Sequence, residues 1–260
     1  MPDLKANGST HRPVPAVSRA IRILRRLGAA GAPMGVNPLA RELGLVPSTC
    51  LHILRVLAEE GLVEFDPASK RYSIGVGILP IARSAIQRNS FATLAQPLLA
   101  DLSAALGVTA MATQLVEPRQ MVVVALSHAQ LPFRLSAELG SRFPELISAT
   151  GRCVAAFNAC DAETLRSDFE RLHWDNPPAY DVWRDQVAQA RRDGYGVDRG
   201  DYIGGVTIIA APLFNADGAM SRALVAVGIS EQMAATGVPD IAQALLAARD
   251  RLVDRMVATT

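Results

Sequence analysis

The 260-residue sequence predicts an α+β protein: an N-terminal winged helix-turn-helix, a linker helix, and a C-terminal domain of helices on an antiparallel sheet. Three observations predict it. Between Pro15 and Ile74, helix, helix, short turn, helix and basic hairpin follow in that order. Charge divides along the chain, with 12 Lys and Arg against 6 Asp and Glu up to Ala92, then 14 against 19 beyond it. Beyond Thr93, two hairpins alternate with amphipathic helical runs.

The first helical run sets Val17, Ile21, Leu24 and Leu27 inward and leaves Arg19, Arg22, Arg25 and Arg26 mostly on other faces. A short second helix opens at Asn37-Pro38, read as a cap followed by a proline at the first helical position, and Gly44 stops it. After Gly44-Leu45-Val46-Pro47, Ser48 is placed as the cap of a third helix running to about Glu60. Cys50, Ile53, Leu54 and Leu57 form its core stripe. Its other faces carry Ser48, Thr49, Leu51, His52 and Arg55, side chains able to meet phosphates, base edges and a thymine methyl. Leu62 to Phe65 and Lys70 to Ser73 then form a wing, with Lys70 and Arg71 at its basic return. This order points to duplex DNA, with Arg19, Arg22, Asn37, Lys70 and Arg71 as candidate contacts beside the third helix; a winged helix used for protein contacts is the alternative. The basic arm supports phosphate neutralisation, and the acidic remainder argues against nucleic acid wrapping the whole chain.

Four segments result: a polar tail over 1–14 expected to be disordered, the winged module over 15–75, a linker helix over 76–92 and the C-terminal domain over 93–260. The linker helix, from near Gly77 to Leu79 and ending near Asn89-Ser90, reads equally as a dimer contact or a plain spacer. A helix over Phe91 to Leu106 follows. Strands are expected over Thr109 to Val116, Met121 to Ser127, Pro132 to Ala137, Gly205 to Phe214 and Ala219 to Gly228. Helices are expected over Gly151–Ala159, Ala162–Leu172 and Tyr180–Asp193, with a last one from near Pro239. No run approaches the ~20 apolar residues of a membrane span, and the first residues carry no signal-peptide core. Cys50, Cys153 and Cys160 have no metal-ligand spacing. Isolated thiols fit a reducing cytoplasm, and neither metal nor cofactor is expected.

The runs AVSRAIRILRRL, GLVPSTCLHILRVLAEEGLVEFD, RYSIG, ELISATGRCVAAF, GYGVDRGDYIGGVTIIAAPLF and GAMSRALVAVGIS resemble, in this order, the IclR-type bacterial transcription regulators. The resemblance covers nearly everything after residue 14. It implies a GAF-like C-terminal domain that binds a small organic effector. It also implies a homodimer or homotetramer on a palindromic operator. Two departures stand out: Pro47 replaces a usual basic residue, and Leu51-His52 falls where the family often has His-Arg. Positions that bear hydroxyls or a thiol in members binding very small oxoacids fall on Ile208, Ala226 and Gly228, which implies a more apolar pocket and a larger or aromatic acid.

Two segments are candidates for that site. Ala149-Thr150-Gly151-Arg152 starts a helix after a loop, so the N–H groups of Thr150, Gly151 and Arg152 are expected to hold a carboxylate, against the plain alternative of an ordinary helix start with Arg152 in solvent. Gly194 to Asp198, followed by Gly204-Gly205-Val206, reads as a flexible lid entering a buried strand, with Asp198 either meeting a ligand hydroxyl or capping a turn. Val206, Ile208, Ala226 and Gly228 complete the expected wall. The competing class is an enzyme built from His128, His173, Ser148, Asp198 and Asp201. Their spacing matches no Gly-x-Ser-x-Gly, His-Glu-x-x-His or Walker pattern, so no catalytic residues are assigned.

Overall fold

The computed structural model describes residues 14–117, 119–128 and 138–258. The chain divides into two compact units, the first ending at Ala85 and the second beginning at Ile86.

The first unit holds α1 (Pro15–Ala29), α2 (Val36–Leu43), α3 (Pro47–Glu59), and the two-stranded wing β1 (Val63–Asp66) and β2 (Arg71–Ile74). The wing pairs antiparallel with Val63 opposite Ile74 and Phe65 opposite Tyr72. Met34 exchanges backbone hydrogen bonds of 2.9 and 2.8 Å with Tyr72, tying the wing to the loop before α2. Ile23, Leu27, Leu39, Ala40, Cys50, Leu54, Leu57, Val63 and Tyr72 form one small core.

Several sequence expectations shift here. In α1 the buried pair is Ile23 and Leu27, with Ala20 and Leu24 partly buried beside them, while Val17 and Ile21 are 56% and 42% exposed. Two adjacent apolar stripes run along this helix, and periodicity does not say which one meets α3. Asn37 is not a cap: α2 begins at Val36 with Gly35 at its N-cap position, so Asn37 and Pro38 lie inside the first turn. Nor does Ser48 cap α3, which starts at Pro47 behind Val46 with no side-chain cap. Proline's fixed φ and missing N–H suit that first position. Gly44 ends α2 at φ 63°, where Leu45 N–H donates to the Ala40 carbonyl at 2.8 Å, a left-handed closure that favours glycine.

Helix α4 (Ile78–Arg88) crosses the division between the units, and α5 (Ser90–Leu106) follows, capped by the Asn89 side chain. The second unit is built on β3 (Thr109–Val116), β4 (Gln120–Ser127), β5 (Arg142–Pro144), β6 (Gly196–Arg199), β7 (Val206–Phe214) and β8 (Met220–Ile229). They form one antiparallel sheet in the order β5-β4-β3-β8-β7-β6. Helices α6 (Ser148–Phe157), α7 (Ala162–Glu170) and α8 (Tyr180–Asp193) complete it with α9 (Ser230–Thr236) and α10 (Val238–Ala258).

Strand alternation gives the sheet two cores. Ile209, Ala211, Leu224 and Ala226 pack with the buried residues of α5 and α10. Ile208, Ala210, Ala223, Val225 and Val227 pack with α6, Leu165 and Phe169 of α7, and Trp183 and Val187 of α8. The supposed flexible lid is in fact β6, an edge strand paired to β7 with Asp198 opposite Ile208. Strand β5 and helix α9 were not expected, being three and seven residues long. The strand expected over Pro132 to Ala137 lies outside the described residues, as does the proposed tail apart from Val14.

Candidate DNA-binding face and effector cavity

Helix α3 exposes Ser48, His52 and Arg55, with Thr49 half-buried beside them. Cys50 N–H is the first amide to find a helical acceptor, at 3.0 Å from the Val46 carbonyl, so among the described residues the Ser48 and Thr49 N–H groups have no backbone acceptor at the positive end of the helix. Free amides, hydroxyls, an imidazole and a guanidinium on one surface suit phosphates and base edges. Leu51 is partly buried and packs against the module's core.

The other proposed contacts divide. Arg19 and Asn37 are exposed. Arg22 donates through Nη2 to the Leu43 carbonyl at 2.6 Å, so it closes the C-terminal end of α2 rather than standing free. Arg71 reaches the Pro33 carbonyl at 3.3 Å across the wing. Lys70 occupies the wing turn at φ 57°, and its ammonium lies 5.9 Å from the Phe65 ring centre.

The second unit contains a cavity of about 280 Å³ on the α6 side of its sheet. Met111, Val123, Ile208, Val225 and Val227 form its sheet wall, Phe143 lies beside it, and Tyr202 and Ile203 come from the loop after β6. Ser148 and Thr150 bring in the first turn of α6. Of the expected wall residues, Ile208 lines this cavity and Val206 belongs to the same core. Ala226 and Gly228 do not join them. Ala226 packs with the α5 and α10 core, and a Cβ on Gly228 would meet Met233 Sδ of α9 at 2.8 Å. Register places Ile208 opposite Val227, so the odd-numbered β8 side chains face the cavity. A one-residue offset in a strand reverses the face.

The start of α6 also differs from expectation. Gly151 N–H already donates to the Ile147 carbonyl at 2.9 Å, and Arg152 lies further into the helix. Among the described residues, the amides of Ser148, Ala149 and Thr150 have no backbone acceptor. Gly151 serves packing: a Cβ there would stand 2.0 Å from the Leu146 carbonyl. Its Cβ direction faces its own preceding loop, and Gly151 is not among the residues that line the cavity.

Arg152 is wholly buried, not in solvent. Its Nη1 donates to Asp198 Oδ2 at 3.0 Å and to the Ser148 carbonyl at 2.9 Å, its Nε to Gln186 Oε1 at 2.9 Å, and its Nη2 to Asp201. Asp198 spends its other oxygen on the N–H groups of Gly200, Asp201 and Tyr202 at 3.1, 2.9 and 3.3 Å. It caps the turn after β6, the structural one of its two readings. Burial raises the Asp201 carboxyl above its ordinary pKa; the Arg152 charge opposes that shift and the Asp198 charge adds to it. Sequence reading named Asp198 and Asp201 but had no signal for their shared partner, 46 and 49 positions away.

The enzyme alternative finds no assembled centre. His128 Nδ1 meets Thr109 Oγ1 at 3.3 Å, His173 is exposed, and Asp198 is committed to Arg152. Among the described residues, no cluster of His, Cys, Asp and Glu is arranged to hold a metal, and no helix is long and apolar enough to cross a membrane.

A helix-turn-helix module joined to a sheet domain with a cavity defines a DNA-binding regulator with an effector domain. Residues 16–67 match the IclR helix-turn-helix domain, and residues 83–253 match the C-terminal domain of bacterial IclR transcriptional regulators. The chain belongs to the IclR family of bacterial transcriptional regulators and is a DNA-binding regulator, not an enzyme.

Among its relatives is the glycerol operon regulatory protein of Streptomyces griseus, 27% identical over 88% of this chain and 90% of that protein. The transcriptional repressor AllR of Escherichia coli K12 is 24% identical over 84% of this chain and 81% of its own length. Of solved structures, a regulator from Silicibacter matches at a TM-score of 0.76 and 22% identity, covering 92% of this chain and 95% of that one. An IclR homologue from Microbacterium hydrocarbonoxydans, solved with 4-hydroxybenzoate, matches at 0.74 and 18%, covering 91% and 97%.

Proposed function

We propose that this regulator senses a small, largely apolar or aromatic carboxylate in the cavity beside α6, and that occupancy changes its affinity for an operator. The observation that carries the reading is the pairing of three amides with no backbone acceptor among the described residues, those of Ser148, Ala149 and Thr150, with a cavity whose sheet wall is Met111, Val123, Ile208, Val225 and Val227 and which Ser141 and Arg142 also line. Buried N–H groups need an acceptor, and the positive end of a helix favours an anion. The apolar wall has room for an organic body of a few carbon atoms or one ring. That a structural relative was solved with 4-hydroxybenzoate is consistent with an acid of this size.

On DNA, the reader is α3 through Ser48, Thr49, His52 and Arg55, with Leu51 at the edge of that face. Arg19, Asn37, Lys70 and Arg71 lie in the flanking segments that would meet phosphates. The protein acts as a homodimer or homotetramer on a palindromic site; the exposed Leu79 and Ile81 of α4, each 61% accessible, offer apolar surface for self-association. Isothermal titration of the full-length protein with benzoate, 4-hydroxybenzoate, phenylacetate and pyruvate tests the effector class. A mobility-shift assay on DNA upstream of its gene, with and without the acid that binds, tests the coupling. Linkage requires the acid to bind the DNA-competent and incompetent states unequally, typically by about 1–3 kcal/mol. An acid that binds in the cavity yet leaves operator affinity unchanged refutes the sensing role.

A further inference from the structure

The six residues between β6 and β7 cover one side of the cavity, and two of them, Tyr202 and Ile203, line it. Ile203 is 38% exposed, so an apolar side chain stands between the cavity and solvent. Glycines bound this cover. Gly200 has a φ of 92° on the β6 side, and Gly204 precedes Gly205, at φ 75°, on the β7 side. Glycine takes positive φ without strain, which gives the cover a pivot near each end.

Two residues of the connection between α7 and α8 hold the cover from outside. Asp175 Oδ2 accepts from Gly204 N–H at 2.9 Å, and Asn176 Nδ2 donates to the Gly200 carbonyl at 2.7 Å. The amides of Asp175 and Asn176 donate to the Tyr202 and Asp201 carbonyls at 3.2 and 3.0 Å. Four of the six covering residues are thus bonded to this pair. Both members are exposed, so water competes for the bonds and they open at low cost. The connection that carries them is anchored. Trp174 packs at 5.6 Å from the Phe169 ring and lies 5.9 Å from the Arg152 guanidinium carbon, and Pro177 and Pro178 stiffen the approach to α8. Between a fixed support and a glycine-bounded cover, the cover is the part free to swing.

We propose that Asp175 and Asn176 form a latch that keeps the Tyr202–Ile203 segment closed over the cavity, and that its release admits and discharges the small-molecule effector. Neither lines the cavity, so both are positioning residues. The sequence placed a lid at Gly194 to Asp198; the moving segment is instead the six residues after β6. The latch governs access alone and holds for any occupant of the cavity, a carboxylate or another compound.

The test uses the full-length protein carrying Cys160→Ser, which removes the exposed thiol, and Val225→Cys, which puts a reporter thiol on the cavity wall at a position 2% exposed. Its reaction with iodoacetamide is followed by mass spectrometry, beside hydrogen exchange over residues 200–205. Asp175→Ala combined with Asn176→Ala is expected to raise both rates about tenfold, the scale set by losing two modest hydrogen bonds. Asn176→Ala alone serves if the pair of changes lowers the melting temperature. Asp175→Asn keeps an acceptor for Gly204 N–H and is expected to stay within about twofold of the parent. Labelling of Cys153, buried in α6, and exchange in α10 are expected not to change, which separates an opened cover from a loosened domain. Faster exchange over 200–205 without faster reporter labelling overturns the gating role, and no change in either overturns the latch. Cys153 accelerating as much as the reporter means general loosening and overturns both. Failure of wild type to bind benzoate or 4-hydroxybenzoate counts against the carboxylate reading and leaves the labelling result unaffected.

Discussion

Arg152 and Asp198 meet at 3.0 Å with both side chains fully buried, and this pair joins α6 to the turn that follows β6. Removing the arginine would leave the buried Asp198 carboxylate without its counter-ion. Arg152→Ala should cost about 3–5 kcal/mol, as loss of one partner from a buried pair generally does. Chemical denaturation followed by far-UV circular dichroism checks it, and a loss under 1 kcal/mol would show the pair to be dispensable.

Asp201 gives the same network a pH signature. Its folded-state pKa is raised, chiefly by burial, so between its ordinary value and the raised one the folded protein holds more protons than the unfolded chain. Stability from this group therefore falls as pH rises through that window and recovers as pH falls. Asp201→Asn keeps an acceptor for Arg152 and removes the ionisation. Its stability relative to wild type should be more favourable at pH 7 than at pH 4, measured by urea unfolding at both; a constant difference would refute the assignment.

Gly151 is fixed by packing. Any Cβ there collides with the Leu146 backbone, so Gly151→Ala should destabilise the protein by about 1–3 kcal/mol or more, as overpacked sites do. A lowered melting temperature is expected with or without an acid present. Unchanged melting would mean that the loop before α6 yields easily.

The two faces of β8 can be separated by substitution. Val225→Phe adds bulk into the cavity and should abolish acid binding while operator affinity in the absence of acid persists. Ala226→Phe adds bulk to the α5 and α10 core instead and should lower stability first. The reverse pattern in calorimetry and melting would put the site on the other side of the sheet.

Substitutions in the first unit should divide readers from phosphate contacts. Thr49→Ala or His52→Ala should erode discrimination among DNA sites by about 1–3 kcal/mol where the side chain meets a base edge. Arg71→Ala should weaken all sequences similarly and flatten the salt dependence. Fluorescence anisotropy on operator and random duplexes at two salt concentrations distinguishes them, and altered preference from Arg71→Ala alone would misplace the reader.

Much of this protein follows from local sequence. Helix period, Gly44 and the turn around Asp66 to Lys70 suffice for the winged module, because capping, left-handed turns and apolar spacing act within a few residues. The hairpin of β7 and β8 is legible for the same reason: Asn215 and Gly218 close it locally, with Asn215 Oδ1 accepting from Asp217 and Ala219 N–H at 3.1 and 2.9 Å. Tertiary structure decided what depends on distant partners. Ile23 rather than Ile21 is buried because α3 covers one of two equivalent stripes. Val225 rather than Ala226 meets the cavity because pairing with β7 and β3 sets the phase of β8, and both β8 neighbours are apolar enough to suit either face. Arg152 is buried because Asp198 and Asp201, 46 and 49 positions further along the chain, are brought beside it to balance its charge. Ser148 opens on the cavity because α6 begins there, its first turn enclosed by a loop and a sheet wall that only the completed fold assembles.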